Sequence, residues 1–429
     1  MNVIARRESE VRSYCRTFPA TFSKALGSKL WDGKGAEYLD FFSGAGSLNY
    51  GHNHPALKDA LVSYISGNGI AHSLDMTTDA KCRLLEAFER IILEPRKMDY
   101  KVMFPGPTGT NSVESALKLA RKVTGRSLVI SFTNAFHGMT LGSLAVTGNE
   151  MKRNGAGVPL GHTFCAPFDG YFGEGVDTIA QIETMLSDGS SGLDAPAAFI
   201  VETVQAEGGI NVASGSWLRE LESLARKHKA LLIVDDVQVG CGRTGLFFSF
   251  EEYGIQPDII CLSKSLSAFG LPLALTLFKP ELDIWKPGEH NGTFRGNNHA
   301  FVTAAKALEL FWSHDSLSRA VSLKAAIIED RLRQCARRYG GEWRGRGMIQ
   351  GLAFGDSSVA PAISAAAFSR GMLVETSGSQ GEVLKLLPPL TIDESDLQRG
   401  LNTIDTCIDQ VLSARKDSPR TTRTQEVMA

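Results

Sequence analysis

The segment Ala230–Leu273, ALLIVDDVQVGCGRTGLFFSFEEYGIQPDIICLSKSLSAFGLPL, decides how the rest of the chain is read. It holds two apolar runs, Leu231–Val234 and Ile259–Leu262, each too short for a helix and rich in β-branched side chains. Such runs read as strands buried on both faces. The first stops at Asp235 and Asp236, the second at Ser263 and Lys264. In open α/β sheets the working groups gather at the carboxyl ends of strands, so an acid and a lysine at neighbouring strand ends face one cleft. A solvated lysine and a helix-capping acid would explain an isolated pair equally well, so the surroundings of the pair matter.

Outward from this segment, Lys101–Phe104, Ser127–Phe132 and Ala198–Val201 also read as strands, and Ser216–Lys229 as an amphipathic helix. The alternation across 98–280 is the doubly wound pattern. After Phe104 comes PGPTGTNSVESALKLARKVTG, a Gly/Thr-rich loop and a helix that Gly125 stops. Backbone amides at a helix start suit an anion such as a phosphate. The loop lacks the Walker lysine and the GxGxxG pattern, which counts against ATP and NAD. After Phe132, TNAFHGMTLGSLAVTGN places an aromatic beside a Gly-bounded loop, which reads as core or as a ring stack. Residues 150–195 read as a loop-rich surface excursion.

Toward the N-terminus, KLWDGKGAEYLDFFSG reads as a hairpin turning at Asp32-Gly33, between Lys29–Trp31 and Glu37–Phe42. In SGAGSLNYGHNHPALKDAL, Gly44, Gly46 and Gly51 permit close backbone approach to a ligand, and His52 reads as a satisfied structural histidine. Thr77–Glu94 has a helix cap and ends at Pro95. Residues 299–314 and 317–339 have helical patterns, and 348–412 alternate strands and helices again. The tail from Ser413 is polar, carries Pro419 and is expected to be disordered. No internal repeat is present.

A chain of 429 residues with 43% hydrophobic and 21% charged side chains can bury a large core as an ordinary globular protein. Its 45 basic and 47 acidic residues nearly cancel, which argues against a nucleic-acid or membrane-surface partner. The seven cysteines are scattered, none in a CxxC or metal-ligand spacing, so they read as free buried thiols in a reducing compartment and no metal is expected. The N-terminus lacks an apolar signal region and no stretch reaches the length of a membrane span, so a cytoplasmic location is expected.

The run DDVQVGCGRTG, PDIICLSKSL, GLPLA resembles the signature of the subgroup III aminotransferases, enzymes of fold type I that depend on pyridoxal 5′-phosphate. The resemblance implies that Lys264 bonds to the cofactor aldehyde and Asp235 pairs with the pyridine nitrogen, which keeps the ring an electron sink. It implies that Val237 packs on the ring and Gln238 bonds its hydroxyl. Asp236 stands where the family has Glu. In the Gly/Thr loop, Thr108, Gly109 and Thr110 take the phosphate positions and Glu114 the family's second acid; Asn111 replaces the first. Phe136 is similar to the residue that stacks on the ring, and His137 is its neighbour. In ETVQAEGG, Glu202 and Glu207 match the family's acids. Glu207 is the one that, in relatives acting on terminal amines, swings between a C-terminal arginine and the substrate. In HNGTFRGNN, Gly292 and Thr293 match residues offered to the cofactor phosphate of the neighbouring subunit, which implies a homodimer or larger homo-oligomer with shared sites. Arg295 replaces a family Gly, and Lys385 the arginine that binds a substrate carboxylate. An ammonium attracts a carboxylate without the bidentate fork of a guanidinium, so Arg295 is a candidate replacement.

The resemblance spans about Phe18 to Leu412. It implies a large doubly wound mixed-sheet domain, residues 56–300, and a smaller α/β domain made from both chain ends, 1–55 and 301–412, with 413–429 as tail. Within the subgroup the loops YLDFFSGAGSLNYGHNHP and GIAHSLDM are most similar to the diaminobutyrate–2-oxoglutarate transaminases of ectoine synthesis. That implies small amino and keto acids as partners, with the amino group passing from L-glutamate to L-aspartate 4-semialdehyde. The alternatives are ornithine, acetylornithine or 4-aminobutyrate transfer, or diaminobutyrate supply for a siderophore.

Overall fold

The computed structural model describes residues 3–416. Its centre is a seven-stranded sheet, whose strands we number β1 (Lys101–Met103), β2 (Val129–Phe132), β3 (Thr163–Ala166), β4 (Ala198–Val201), β5 (Leu231–Asp235), β6 (Ile259–Leu262) and β7 (Leu275–Phe278). The spatial order is β1-β7-β6-β5-β4-β2-β3. All run parallel except β7, which is antiparallel to both β6 and β1. The register sets Asp235 of β5 beside Cys261 of β6, so Asp235 and Lys264 leave neighbouring strands at the same edge.

The period of two explains why both central strands are apolar throughout. Ile233, Ile259 and Cys261 pack with Val113, Leu117 and Ala120 of the helix Gly109–Thr124. Leu232, Val234, Ile260 and Leu262 face the opposite layer, with Trp217, Leu218 and Leu221 of the helix Gly215–Lys227. Fully burying each such side chain is worth about 1.5–3 kcal/mol, so neither face tolerates a polar residue before the strand ends.

Two four-stranded sheets flank this core. Phe22–Leu26, Lys29–Asp32 and Glu37–Asp40 form an antiparallel meander, and Met372–Leu373 adds in parallel to Glu37–Asp40, joining the two ends of the chain. The expected turn holds because Asp32 Oδ1 accepts from the amides of Lys34 and Ala36. The other sheet is antiparallel, in the order Glu342–Arg346, Ile349–Ala353, Val383–Leu386, Glu375–Ser377. Its inner face meets Val204, Ala206, Ile210 and Val239, next to the ends of β4 and β5.

Several expectations need correction. Residues 150–195 are no mere excursion, because they supply the edge strand β3 and the helices Glu150–Asn154 and Thr178–Ser187. Gly51 makes its close approach within the protein: a Cβ there would lie 2.9 Å from the Gly27 carbonyl oxygen. His52 is the structural histidine expected, with Nε2 2.7 Å from Asp40 Oδ2. All seven cysteines are free, but Cys15 and Cys165 are exposed. The last helix, Glu394–Lys416, takes in the start of the tail that was expected to be disordered; 417–429 lie outside the described residues. Among the described residues no helix is long and apolar enough to cross a membrane.

Candidate active site

The edge where β5 and β6 end opens on a cavity of about 150 Å³, lined by Asp235, Lys264, Phe136, His137, Val237 and Gln238 together with Gly109, Thr110 and Glu202. Lys264 has left-handed backbone, φ 49°, a strained conformation for a residue with a side chain and one that concentrates at functional sites. Burial, with the Lys385 ammonium nearby, holds its amine below the ordinary lysine range against the pull of Glu207. A lysine so placed has a larger neutral, nucleophilic fraction.

Asp235 is buried and its Oδ2 lies 2.7 Å from His137 Nδ1. Its Oδ1 accepts only a longer bond, 3.2 Å, from the Val237 amide. Burial pulls the His137 imidazole down, but the hydrogen bond and charge of Asp235 outweigh it and raise its pKa. Glu202 sits under the same loop and accepts from the Phe136 amide at 2.9 Å. Burial, opposed by His137, pushes its carboxyl up to about 8.

Helix Gly109–Thr124 points its first turn at the cavity, with Thr108 as its cap. A Cβ at Gly109 would lie 2.8 Å from Val237 Cγ1, so only glycine fits between the loop and the strand end. Two side chains without a role in the sequence reading hold this loop. Asn111 Oδ1 accepts from the Thr108 amide at 3.1 Å. Glu114 Oε1 accepts from the amides of Gly142 (2.9 Å) and Ser143 (3.1 Å), tying the loop to the segment after His137. A third missed residue is Lys152, whose ammonium stands 4.0 Å from the centre of the Phe136 ring, within cation–π range.

The expected substrate residues divide. Glu207 is bonded by Gln238 Nε2 at 3.0 Å and by Lys385 Nζ at 2.7 Å. Lys385 is completely buried and also 3.1 Å from Glu375, an acid that the sequence reading missed. The two carboxylates outweigh burial and raise the Lys385 pKa, so it is an ammonium. Arg295 does not reach the cavity of its own chain; it borders a separate surface pocket and lies 3.7 Å from Asp75. Gly292 and Thr293 are also outside the cavity, on an exposed loop where the Thr293 carbonyl bonds His72 Nε2 at 2.8 Å.

An acid and a lysine leave adjacent strand ends beside the start of the helix Gly109–Thr124, and one family of enzymes matches along the chain. The family model for Aminotransferase class-III covers residues 12–408. The chain belongs to the class III aminotransferases. Among proteins of this family, the diaminobutyrate–2-oxoglutarate transaminase of Halalkalibacterium halodurans is 57% identical over 419 residues, 97% of this chain and 98% of that protein. The enzyme of the same name from Streptomyces anulatus is 59% identical over 409 residues, 95% and 97% of the two chains. In three dimensions the ornithine aminotransferase of Toxoplasma gondii superposes with a TM-score of 0.82 at 27% identity, covering 97% of this chain and 94% of that one. An (S)-enantioselective omega-transaminase from Thermomicrobium roseum does so with a TM-score of 0.82 at 25% identity, covering 95% and 97%.

A class III aminotransferase works with pyridoxal 5′-phosphate, and the cavity fits that cofactor. The glycine at 109 lets the helix start close onto Val237 at the cavity edge. His137 Nε2 is buried without a hydrogen-bond partner, and Asp235 Oδ1 is left with one weak donor. The donors and acceptors present are a lysine amine, a buried carboxylate and helix-start amides, which suit an aldehyde, a ring nitrogen and a phosphate respectively.

Proposed function

We propose that this class III aminotransferase moves the amino group of L-glutamate to L-aspartate 4-semialdehyde, giving L-2,4-diaminobutyrate and 2-oxoglutarate, in the first committed step of ectoine synthesis. The observation that carries this reading is the 57–59% identity, over almost the whole chain, to enzymes named diaminobutyrate–2-oxoglutarate transaminase. When bound, the cofactor supplies the aldehyde that carries the amino group and a ring that accepts electrons from the carbon next to it.

Thr108, Gly109 and Thr110 hold the phosphate at the helix start, and Gly292 and Thr293 of a neighbouring copy complete that site. Asp235, fixed by His137, holds the proton on the ring nitrogen. Phe136, backed by Lys152, and Val237 hold the ring faces, and Gln238 its hydroxyl. Lys264 binds the cofactor at rest. Its amine, held below the ordinary lysine range, would also serve to move a proton at the substrate carbon bearing the nitrogen. At the far end of the site, Lys385 attracts a carboxylate of glutamate and Glu207 the α-ammonium of diaminobutyrate. The residues 1–55 and 301–412 act as one smaller domain over this site, with 56–300 as the cofactor domain.

The test is a half-reaction with cofactor-loaded protein, following the cofactor absorbance with single amino donors. Fast conversion by L-glutamate and L-2,4-diaminobutyrate, and slow conversion by L-ornithine, N-acetylornithine and 4-aminobutyrate, is expected. Preference for one of the latter three would replace the substrate and keep the chemistry.

A further inference from the structure

Glu375, Lys385 and Glu207 form a buried cluster whose charges do not balance. Glu375 and Lys385 stand directly opposite each other on the antiparallel strands Glu375–Ser377 and Val383–Leu386, so their side chains share one face. Lys385 Nζ lies between them, 2.7 Å from Glu207 Oε1 and 3.1 Å from Glu375 Oε1. The side chains are 0% exposed for Lys385, 6% for Glu375 and 19% for Glu207. Glu207 is therefore the outer member, tied by Gln238 to the cavity lining, and Glu375 the inner one. Glu375 Oε1 lies in ion-pair range of Lys385 but accepts no well-directed hydrogen bond. One ammonium thus serves two carboxylates away from water, where a surplus charge is costly.

The proposed reaction brings a dicarboxylic amino donor to this ammonium. The incoming carboxylate adds to the two that Lys385 already faces, of which Glu207 is the more exposed. Glu375, with only 6% of its side chain exposed, is the carboxylate with less access to water. We propose that Glu375 takes up a proton when a substrate carboxylate engages Lys385, so that it tunes recognition of the dicarboxylic donor without touching it. The inference rests on the proposed reaction. It makes Glu375 a positioning residue, present to hold Lys385 in place and to drop its own charge when a third carboxylate arrives.

The groups that act on Glu375 are Lys385 on the neighbouring strand, Glu207 on its loop, Lys264 after β6, and Tyr14 on the N-terminal helix Tyr14–Thr17. Burial pushes the Glu375 carboxyl up to about 7, against Lys385 and reinforced by Glu207. An added carboxylate raises it further, so binding takes up protons at and above neutral pH. Affinity for the dicarboxylate then falls as pH rises above about 7, by up to about tenfold per unit. Diaminobutyrate presents an α-carboxylate with an α-ammonium at the same end, adds no net charge there, and shows little of this dependence.

Glutarate has two carboxylates and no amine, so it binds without reacting. Titration calorimetry of the cofactor-loaded protein with glutarate near pH 8, in buffers of different ionisation enthalpy, counts protons taken up. The expected result is uptake of most of one proton in the wild type, lost in Glu375→Gln. In that variant the KM for glutamate also loses its rise with pH, while the diaminobutyrate half-reaction keeps its profile. No uptake by the wild type, or no glutarate binding, overturns the proposal; the wild-type measurement stands even if the variant fails to fold. Uptake that persists in Glu375→Gln also overturns it and assigns the proton to Glu207. If glutamate converts the cofactor while uptake is absent, only this inference falls. If glutamate fails to react at all, the proposed reaction falls first.

Discussion

The cavity and the charged cluster beside it are built in opposite ways. Asp235 ends one strand and Lys264 follows the end of the parallel strand beside it, within one stretch of chain, and the backbone ladder between Asp235 and Cys261 places them. Glu207, Glu375 and Lys385 come from a loop after β4 and from two strands of another sheet, and their own charges hold them together. At the first, the two groups stand on a backbone ladder that does not depend on their charges. At the second, fold and recognition use the same ion pairs, so a change there acts on both.

Substitutions separate the two cases. Lys264→Ala is expected to cost turnover roughly 10³-fold or more, since it removes both the cofactor attachment and the proton carrier. The same left-handed backbone strain is present with either residue, so far-UV circular dichroism and the melting temperature should stay close to wild type. A collapse of the fold would show that the cofactor end is not independent of its chemistry. Lys385→Met should do the reverse. It leaves Glu207 and Glu375 without their cation and costs about 3–5 kcal/mol, read by urea unfolding. Its glutamate half-reaction should slow far more than its cofactor binding weakens.

Smaller effects sharpen the contrast within the cofactor end. Gly109→Ala sets a methyl group 2.8 Å from Val237 Cγ1, so about 1–3 kcal/mol of overpacking is expected together with weaker cofactor binding, measured by titration of the cofactor-free protein. Asn111→Ala removes the acceptor for the Thr108 amide and should cost about 1 kcal/mol. That amide belongs to an exposed loop where water replaces the lost bond, so turnover at saturating cofactor should remain near wild type.

What could be read in advance follows the same division. β5 and β6 were legible because strands buried on both faces must be apolar throughout, and because a charge ends each run at the sheet edge. β3 was not, since Thr163–Ala166 is a half-exposed edge strand with little apolar signal. Asp235, Lys264 and the Gly109 loop were expected at one place, and they line one cavity. Arg295 was expected near the substrate, but its loop folds away from its own chain's cavity. Asn111 gave no sign of its work and Glu114 only a family position, because an acceptor for a backbone amide looks like any polar residue on a helix start.

The sequence by itself determined the strands of the central sheet, the lysine and acid at their ends and the glycine-bearing helix start, for these depend on local periodicity and on residue types that only one conformation accommodates. Only the tertiary structure decided that Lys385 is sealed between two carboxylates. That outcome depends on which strands of the second sheet pair and in which register, Glu375 against Lys385, and on a loop from another part of the chain closing over them. Charge balance in a buried space is a property of everything that surrounds it, and no single stretch of chain carries that information.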